Sequence, residues 1–264
     1  MNRRLTILGC GSSGGVPRVG NDWGNCDPGN ARNRRRRCSV LLEQGTEQGM
    51  TTVIIDTSPD MREQMLSADV RQLDGVWYSH EHADHTHGID ELRSFFLMQK
   101  HRIPVWADPT TAAMLSMRFA YCVTALPGSD YPPILEMRGI VAGESIRTMG
   151  KGGAIEALPF AVQHGNITAL GFRMGNLAYT PDINDVPAES LHYLENLDTW
   201  IVDALRPRPH PSHFSLPETL AWIARLKPRQ AILTNMHVDL DYATLLAELP
   251  RNIVPAYDGM VVEY

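Results

Sequence analysis

The sequence predicts an α/β fold in which two β-sheets face each other and helices cover their outer faces. Three observations carry the prediction. Short apolar, β-branched runs recur through both halves of the 264 residues. Helical patterns of roughly 8–12 residues are interspersed with them. No repeat, low-complexity segment or Gly/Ser/Pro-rich linker separates the halves, so a single domain over 1–264 is expected.

Taken in order, the piece Met1–Gly11 is strand-like, with Leu5-Thr6-Ile7-Leu8 at its centre. It lacks the basic-then-apolar layout of a signal peptide. A long loop, Gly11 to Arg37, follows and is rich in Gly, Asn, Pro and Arg; a loop of that length is either functional or partly disordered. Strands are expected at Ser39-Val40-Leu41-Leu42, Thr52-Val53-Ile54-Ile55 and Val76-Trp77-Tyr78. Helices are expected near 59–67, 90–99, 110–120, 187–196, 216–227 and 241–248, the last with Asp241 near an N-cap position and Leu245, Leu246 and Leu249 at helical spacing. Later strands are expected at 155–163, 167–173, 176–180, 199–203, 230–235 and 253–263.

Composition narrows the function classes. The hydrophobic set is 43% and charged residues are 20%, which supports a sizeable core and argues against disorder. No apolar run approaches the ~18 residues of a membrane span. Cys10, Cys26, Cys38 and Cys122 have no framework spacing, so a reduced, cytoplasmic setting is expected. The formal net charge of −6 argues against a dedicated duplex-DNA binder. That charge is uneven: residues 1–40 carry eight arginines and two aspartates, while the rest is strongly acidic. The run Arg34–Arg37 is either a solvated face or an electrostatic lure for an anionic substrate.

The chemistry concentrates in Ser79-His80-Glu81-His82-Ala83-Asp84-His85-Thr86-His87-Gly88, directly after a strand. His80 and His82 can be aimed at one cation, and Asp84 and His85 at another; imidazole and carboxylate suit Zn²⁺, Mn²⁺ or Fe²⁺. Four residues cannot complete two sites. His164, Asp182 and His237 each lie just past an apolar strand, and strand ends on one rim would bring them together.

The H-x-H-x-D-H signature His80-Glu81-His82-Ala83-Asp84-His85, with the later His164, Asp182 and His237 in order, resembles the metallo-β-lactamase superfamily. The resemblance covers nearly the whole chain. It implies an αββα sandwich and a two-metal hydrolase, with His80, His82 and His164 on one ion, Asp84, His85 and His237 on the other, and Asp182 bridging. Within the superfamily, Leu8-Gly9-Cys10-Gly11-Ser12-Ser13-Gly14-Gly15-Val16-Pro17, Ile55-Asp56-Thr57, Tyr257-Asp258-Gly259-Met260 and Ser212-His213-Phe214-Ser215 resemble the PhnP-type cyclic phosphodiesterases, with RNase Z nearby. The sequence departs from that pattern twice. Leu233-Thr234 is followed by Asn235, so His237 is expected to substitute from two places on, where an extended chain faces the same side. The loop Asn21–Asp27 has one cysteine, Cys26, so no separate structural zinc is expected.

The expected cofactors are therefore two divalent ions, zinc or manganese with iron admissible, and no other cofactor site is assigned. Two cations about 3.5–4 Å apart can share a hydroxide for attack on a phosphodiester. The resemblance implies catalytic roles for His213, as the group that stabilises the phosphate or protonates the leaving alkoxide, and for Asp84. Asp56 either orients a ligand histidine or caps its strand. His87 and His210 are surface or supporting groups. The glycine-rich stretch, with no following Gly-Lys-Ser/Thr, is a tight turn or a phosphate cradle. The expected substrate is a small anionic phosphodiester, cyclic or nucleotide-like; the expected partners include no extended nucleic acid and no membrane, and a homodimer is compatible with the sequence. The alternatives are an RNase Z-like endoribonuclease, a lactone or thioester hydrolase, and a metal-binding accessory protein of cofactor biosynthesis. The missing inserted arm counts against the first, and His213 against the second.

Overall fold

The computed structural model describes residues 2–125, 128 and 130–264; Met1, placed by sequence in the first strand-like piece, lies outside them. Among the described residues, fourteen strands form two seven-stranded mixed sheets. The first sheet contains β1 (Asn2–Gly9), β2 (Ser39–Thr46), β3 (Gly49–Ile55), β4 (Gly75–Trp77), β5 (Ile103–Ala107), β6 (Leu135–Gly139) and, beyond β1, the C-terminal β14 (Val261–Glu263). The second runs in order from β7 (Ile146–Gly150) through β8 (Gly153–His164), β9 (Ile167–Met174), β10 (Leu177–Thr180), β11 (Thr199–Asp203) and β12 (Gln230–Thr234) to β13 (Ile253–Pro255).

The apolar runs explain why helices cover the first sheet. Its strands are buried on both faces, and side chains alternate between them. Leu5, Ile7, Val40, Leu42, Val53, Ile55 and Trp77 face the second sheet, joining Phe160, Val162, Phe172 and Tyr179. Leu8, Leu41, Ile54, Val76 and Tyr78 face outward onto Met61 and Met65 of α1 (Met61–Ser67), Leu92 and Phe95 of α3 (Leu92–Gln99) and Leu115 of α4 (Pro109–Arg118). The short α2 (Ala83–Thr86) and α5 (Ala120–Val123) complete that side. The second sheet is covered by α6 (Leu216–Leu226) and α7 (Tyr242–Glu248), which contribute Ile223 and Leu245 to the inter-sheet core cluster. Local signals set these helix starts: Ser215 and Glu218 form a capping box on α6, and the Asp241 carboxylate accepts from Thr244 N on α7.

The differences from the sequence reading have local causes. β5, β6 and β7 were not expected; β5 carries Pro104, and β6 and β7 show too little apolar alternation to stand out. The segment 187–196 is a 3₁₀ helix, Ala188–Leu194, rather than an α-helix. The single strand expected over 253–263 is two strands in different sheets, separated by a turn in which Gly259 adopts φ 90°.

The Gly11–Arg37 loop is ordered by its own arginines. Arg35 is 2% exposed and donates to Leu240 O at 2.8 Å and Asn33 Oδ1 at 3.3 Å. Arg36 pairs with Asp258, Arg37 with Asp60, and Arg34 lies over the Trp23 ring. Arg35, Arg36 and Arg37 therefore staple the loop to distant segments, while Arg34 stays exposed. The glycines serve the same packing: a Cβ on Gly9 would sit 2.1 Å from Arg37 O. Cys26 is buried beside Val16 and Val238.

Candidate metal centre

Strand ends converge on one rim. Asp56 follows β3, His80 and His82 follow β4, and Asp84 and His85 lie in α2. His164 closes β8, Asp182 follows β10, Asp203 closes β11, His213 precedes α6, and Asn235 follows β12. In open α/β sheets this is where the chain turns and functional groups gather. The α2 loop is pinned by Thr57 N donating to His85 O at 2.8 Å and Gly88 N to Thr57 O at 2.9 Å.

Two donor groups result. His80, His82, His164 and Asp182 form one; Asp84, His85 and Asp182 form the other, each with its ligand atoms within 4.8 Å of one another. Asp182 thus belongs to both, with Oδ2 3.7 Å from His80 Nε2 and 3.6 Å from His164 Nε2, and Oδ1 3.1 Å from His85 Nε2. Among the described residues no cysteine belongs to either group.

Hydrogen bonding fixes the ring tautomers. His85 Nδ1 donates to Asp56 Oδ2 at 2.8 Å, and His164 Nδ1 to the Ser212 carbonyl at 2.6 Å. Ser79 Oγ gives its proton to Asp56 Oδ2 and therefore accepts from His80 Nδ1 at 3.0 Å. His80 then turns an unprotonated Nε2 toward the Asp182 carboxylate, and His164 Nε2 lies between Asp182 and His82 Nδ1, 3.1 Å away. Burial opposes charge on His85, but Asp182, Asp84 and Asp56 outweigh it and hold that ring well above the usual imidazole range. His80 Nε2 and His85 Nε2 are buried without a hydrogen-bond partner. Buried lone pairs facing a carboxylate repel one another unless a cation lies among them. The donor set is therefore that of a divalent metal site.

The electrostatics agree. Burial holds His80 well below the usual imidazole range and His164 down at about 4, so both stay neutral. Burial pushes the Asp182 carboxyl upward, but His85, His213 and His80 outweigh it and hold it well below the usual carboxylate range. Burial opposes charge on His213 as well; Asp203 and Asp182 overcome it and raise His213 to about 9.

Asp56 has φ 67°, a conformation Asn and Asp tolerate better than most residues. Its carboxylate accepts from Ser79 N, Ser79 Oγ and His85 Nδ1, so it holds the ring of His85 directly and that of His80 through Ser79. Sequence reasoning missed Asp203, whose Oδ2 accepts from His213 Nδ1 at 2.7 Å. The signal was present: like Asp56, Asp203 lies at the end of an apolar strand.

His237 is outside both donor groups. Its Nε2 lies 3.2 Å from Arg18, and its Nδ1 lies 3.2 Å from Asp239. Asn235 holds the position beside Asp182 instead, its Nδ2 3.3 Å from Asp182 Oδ1. The cause is backbone geometry. Asn235 adopts φ 57°, so the chain bends there, and the same-side rule for an extended chain no longer applies to position 237. His87 is exposed against Phe119, and His210 packs beside His213 with ring centroids 5.1 Å apart.

The sequence matches the beta-lactamase superfamily domain over residues 51–236. The chain belongs to that superfamily. A solved structure of a diphosphatase from the PhnP family superposes with a TM-score of 0.88 at 32% identity, over 100% of this chain and 98% of that one. Human tRNase Z, short form, shares the superfamily fold, with a TM-score of 0.65 at 14% identity over 98% of each chain. An octanoyltransferase of Porphyromonas gingivalis is 29% identical over 262 residues, 97% of this chain and 51% of that protein, so the chain spans about half the length of that curated relative. The chain thus joins the superfamily fold to a His/Asp cluster suited to divalent ions. Among the described residues no helix is long and apolar enough to cross a membrane.

Proposed function

We propose that the chain is a dinuclear-metal-dependent phosphodiesterase acting on a small cyclic or nucleotide-like phosphodiester in the cytoplasm, with residues 1–264 working as one domain. The observation that carries this reading is the sharing of Asp182 by the two donor groups, beside a His213 that is itself backed by a carboxylate. His80, His82, His164 and Asp182 would hold one ion; Asp84, His85 and Asp182 would hold the other. Such ions supply Lewis acidity that polarises a phosphoryl oxygen and acidifies water toward ~7.

The remaining chemistry belongs to the chain's own groups. Asp203 fixes His213 Nδ1, so Nε2, 3.9 Å from Asp182 Oδ2, faces the cluster. Raised to about 9, the His213 imidazole carries a proton at neutral pH and can donate it from Nε2 to the leaving alkoxide. Asp56 and Ser79 hold the rings of His85 and His80 in register without touching substrate. The internal pairing of Arg35, Arg36 and Arg37 supports a small substrate over an extended polyanion.

A second reading, hydrolysis of a diphosphate, is favoured by the full-length similarity to the PhnP-family diphosphatase. The two are separated by giving the Mn²⁺-loaded chain bis(p-nitrophenyl) phosphate and a nucleoside diphosphate in parallel. Cleavage of the phosphodiester supports the first reading; phosphate release from the diphosphate alone replaces it with the second.

A further inference from the structure

We infer that the two halves of the cluster differ in kind: a nitrogen-rich site that holds Zn²⁺ tightly, and an oxygen-rich site, completed by the Asn235 amide oxygen, that holds its ion more weakly and accepts Mn²⁺. The inference rests on the dinuclear reading above.

The donor sets are unequal. One group offers three imidazoles and Asp182; the other offers one imidazole and two carboxylates. Imidazole suits zinc, whereas carboxylate and carbonyl oxygen suit manganese. Asn235, 1% exposed, faces Asp182 Oδ1, the oxygen that also faces His85 Nε2. Asn235 therefore closes the oxygen-rich group where His237 does not reach.

The orientation of its amide carries the argument further. Nδ2 lies 3.1 Å from His213 Nδ1, whose hydrogen already goes to Asp203 at 2.7 Å, so two N–H donors face each other. Nitrogen and oxygen of a side-chain amide have nearly the same shape, and the hydrogen-bond network decides between them. Turning the amide over puts its carbonyl oxygen against His213 Nδ1–H and beside Asp182 Oδ1. Two oxygens brought together there are favourable with a cation between them. An amide carbonyl carries no net charge, so it binds a divalent ion less strongly than a carboxylate and less softly than an imidazole.

The test uses the whole chain stripped of metal, with Zn²⁺ and Mn²⁺ themselves as probes. Zinc is titrated against a chromogenic chelator; the chain is then equilibrated with one equivalent of zinc and excess manganese, and metal content and the Mn²⁺ paramagnetic resonance signal are read. The expected result is one tight zinc, a second zinc weaker by about 10- to 100-fold, and a mixed state holding one zinc and one manganese. Asn235→His is expected to tighten the second zinc about tenfold or more; histidine is among the residues that tolerate the φ of 57°. Asn235→Asp, which keeps the side-chain shape, is expected to tighten Mn²⁺ and serves if the histidine variant does not fold. Two zinc ions of equal affinity overturn the inference and leave the dinuclear reading intact. Unchanged second-site affinity in both variants overturns the role of Asn235. Failure to bind any ion overturns both readings.

Discussion

Asp56→Asn tests the structural logic of the centre without touching a ligand. The Asp56 side chain is fully buried and accepts three hydrogen bonds, from Ser79 N at 2.8 Å, Ser79 Oγ at 2.7 Å and His85 Nδ1 at 2.8 Å. Asparagine keeps the volume and tolerates the φ of 67°, so the backbone is not strained. One oxygen becomes an NH₂ group, and the negative charge is lost. If the NH₂ takes the Oδ2 position, it meets the Nδ1–H of His85 and the hydroxyl of Ser79; if it takes the Oδ1 position, it meets Ser79 N. Either way at least one buried donor loses its acceptor, at a cost of about 1–3 kcal/mol. The ring of His85 also loses the carboxylate that raises the basicity of Nε2. Loss of such a supporting carboxylate weakens metal binding by about 10- to 100-fold, or roughly 1.4–2.8 kcal/mol. The assay is zinc competition with a chromogenic chelator near neutral pH, on protein shown to melt cooperatively. Affinity within about twofold of the unmodified chain would refute the assignment of Asp56 as the group that positions His85.

Three further outcomes are expected. His213→Ala should keep its metal content and lose about 10²- to 10⁴-fold in turnover on an alkyl phosphodiester, with a smaller loss on p-nitrophenyl esters, whose leaving group needs no proton; equal losses on both would remove the proton-donor role. Asp241→Ala should lower stability by about 1–2 kcal/mol in urea unfolding, because the carboxylate caps α7 and also accepts from Asn33 Nδ2. Burial pushes the Asp241 carboxyl up, but Thr244, Asn33 and Asp27 outweigh it and hold it at about 2, below the ordinary 3.8. Its ionised form is thus favoured by folding, so the contribution is present above 3.8 and is lost as pH falls toward about 2; Asp241→Asn should flatten that part of the acid-unfolding curve. Gly88→Ala should destabilise by about 1–3 kcal/mol and loosen metal binding, because the added Cβ would lie 2.0 Å from Ser58 O in the turn that pins α2; unchanged stability would show that the turn can shift.

The parts of the fold legible in the sequence are those written as apolar runs. Val40-Leu41-Leu42 and Val53-Ile54-Ile55 are buried on both faces, so every position is apolar and the strands announce themselves. β7 alternates buried Ile146 and Thr148 with exposed neighbours across a short span, so it does not stand out. The donor cluster was legible because ligand type and strand-end position coincide at His80, His82, Asp84, His85, His164 and Asp182. Position 235 was not legible, since a left-handed residue at the end of a strand redirects everything after it, and nothing in Leu-Thr-Asn-Met-His specifies that bend. The pairing of the arginine run was hidden for a related reason. Charge along the sequence does not reveal partners such as Asp60 and Asp258, which come from distant segments.

In the proposed function, ions held at this rim promote cleavage of a phosphodiester. This role is tested most directly by the rate of bis(p-nitrophenyl) phosphate hydrolysis as Mn²⁺ or Zn²⁺ is added back to the metal-free chain, with Asp182→Asn alongside. No turnover is expected without metal, with a rate that rises until both sites are filled and loss of that rise in the variant. Two bound ions with no hydrolysis, or hydrolysis that ignores Asp182, would contradict it.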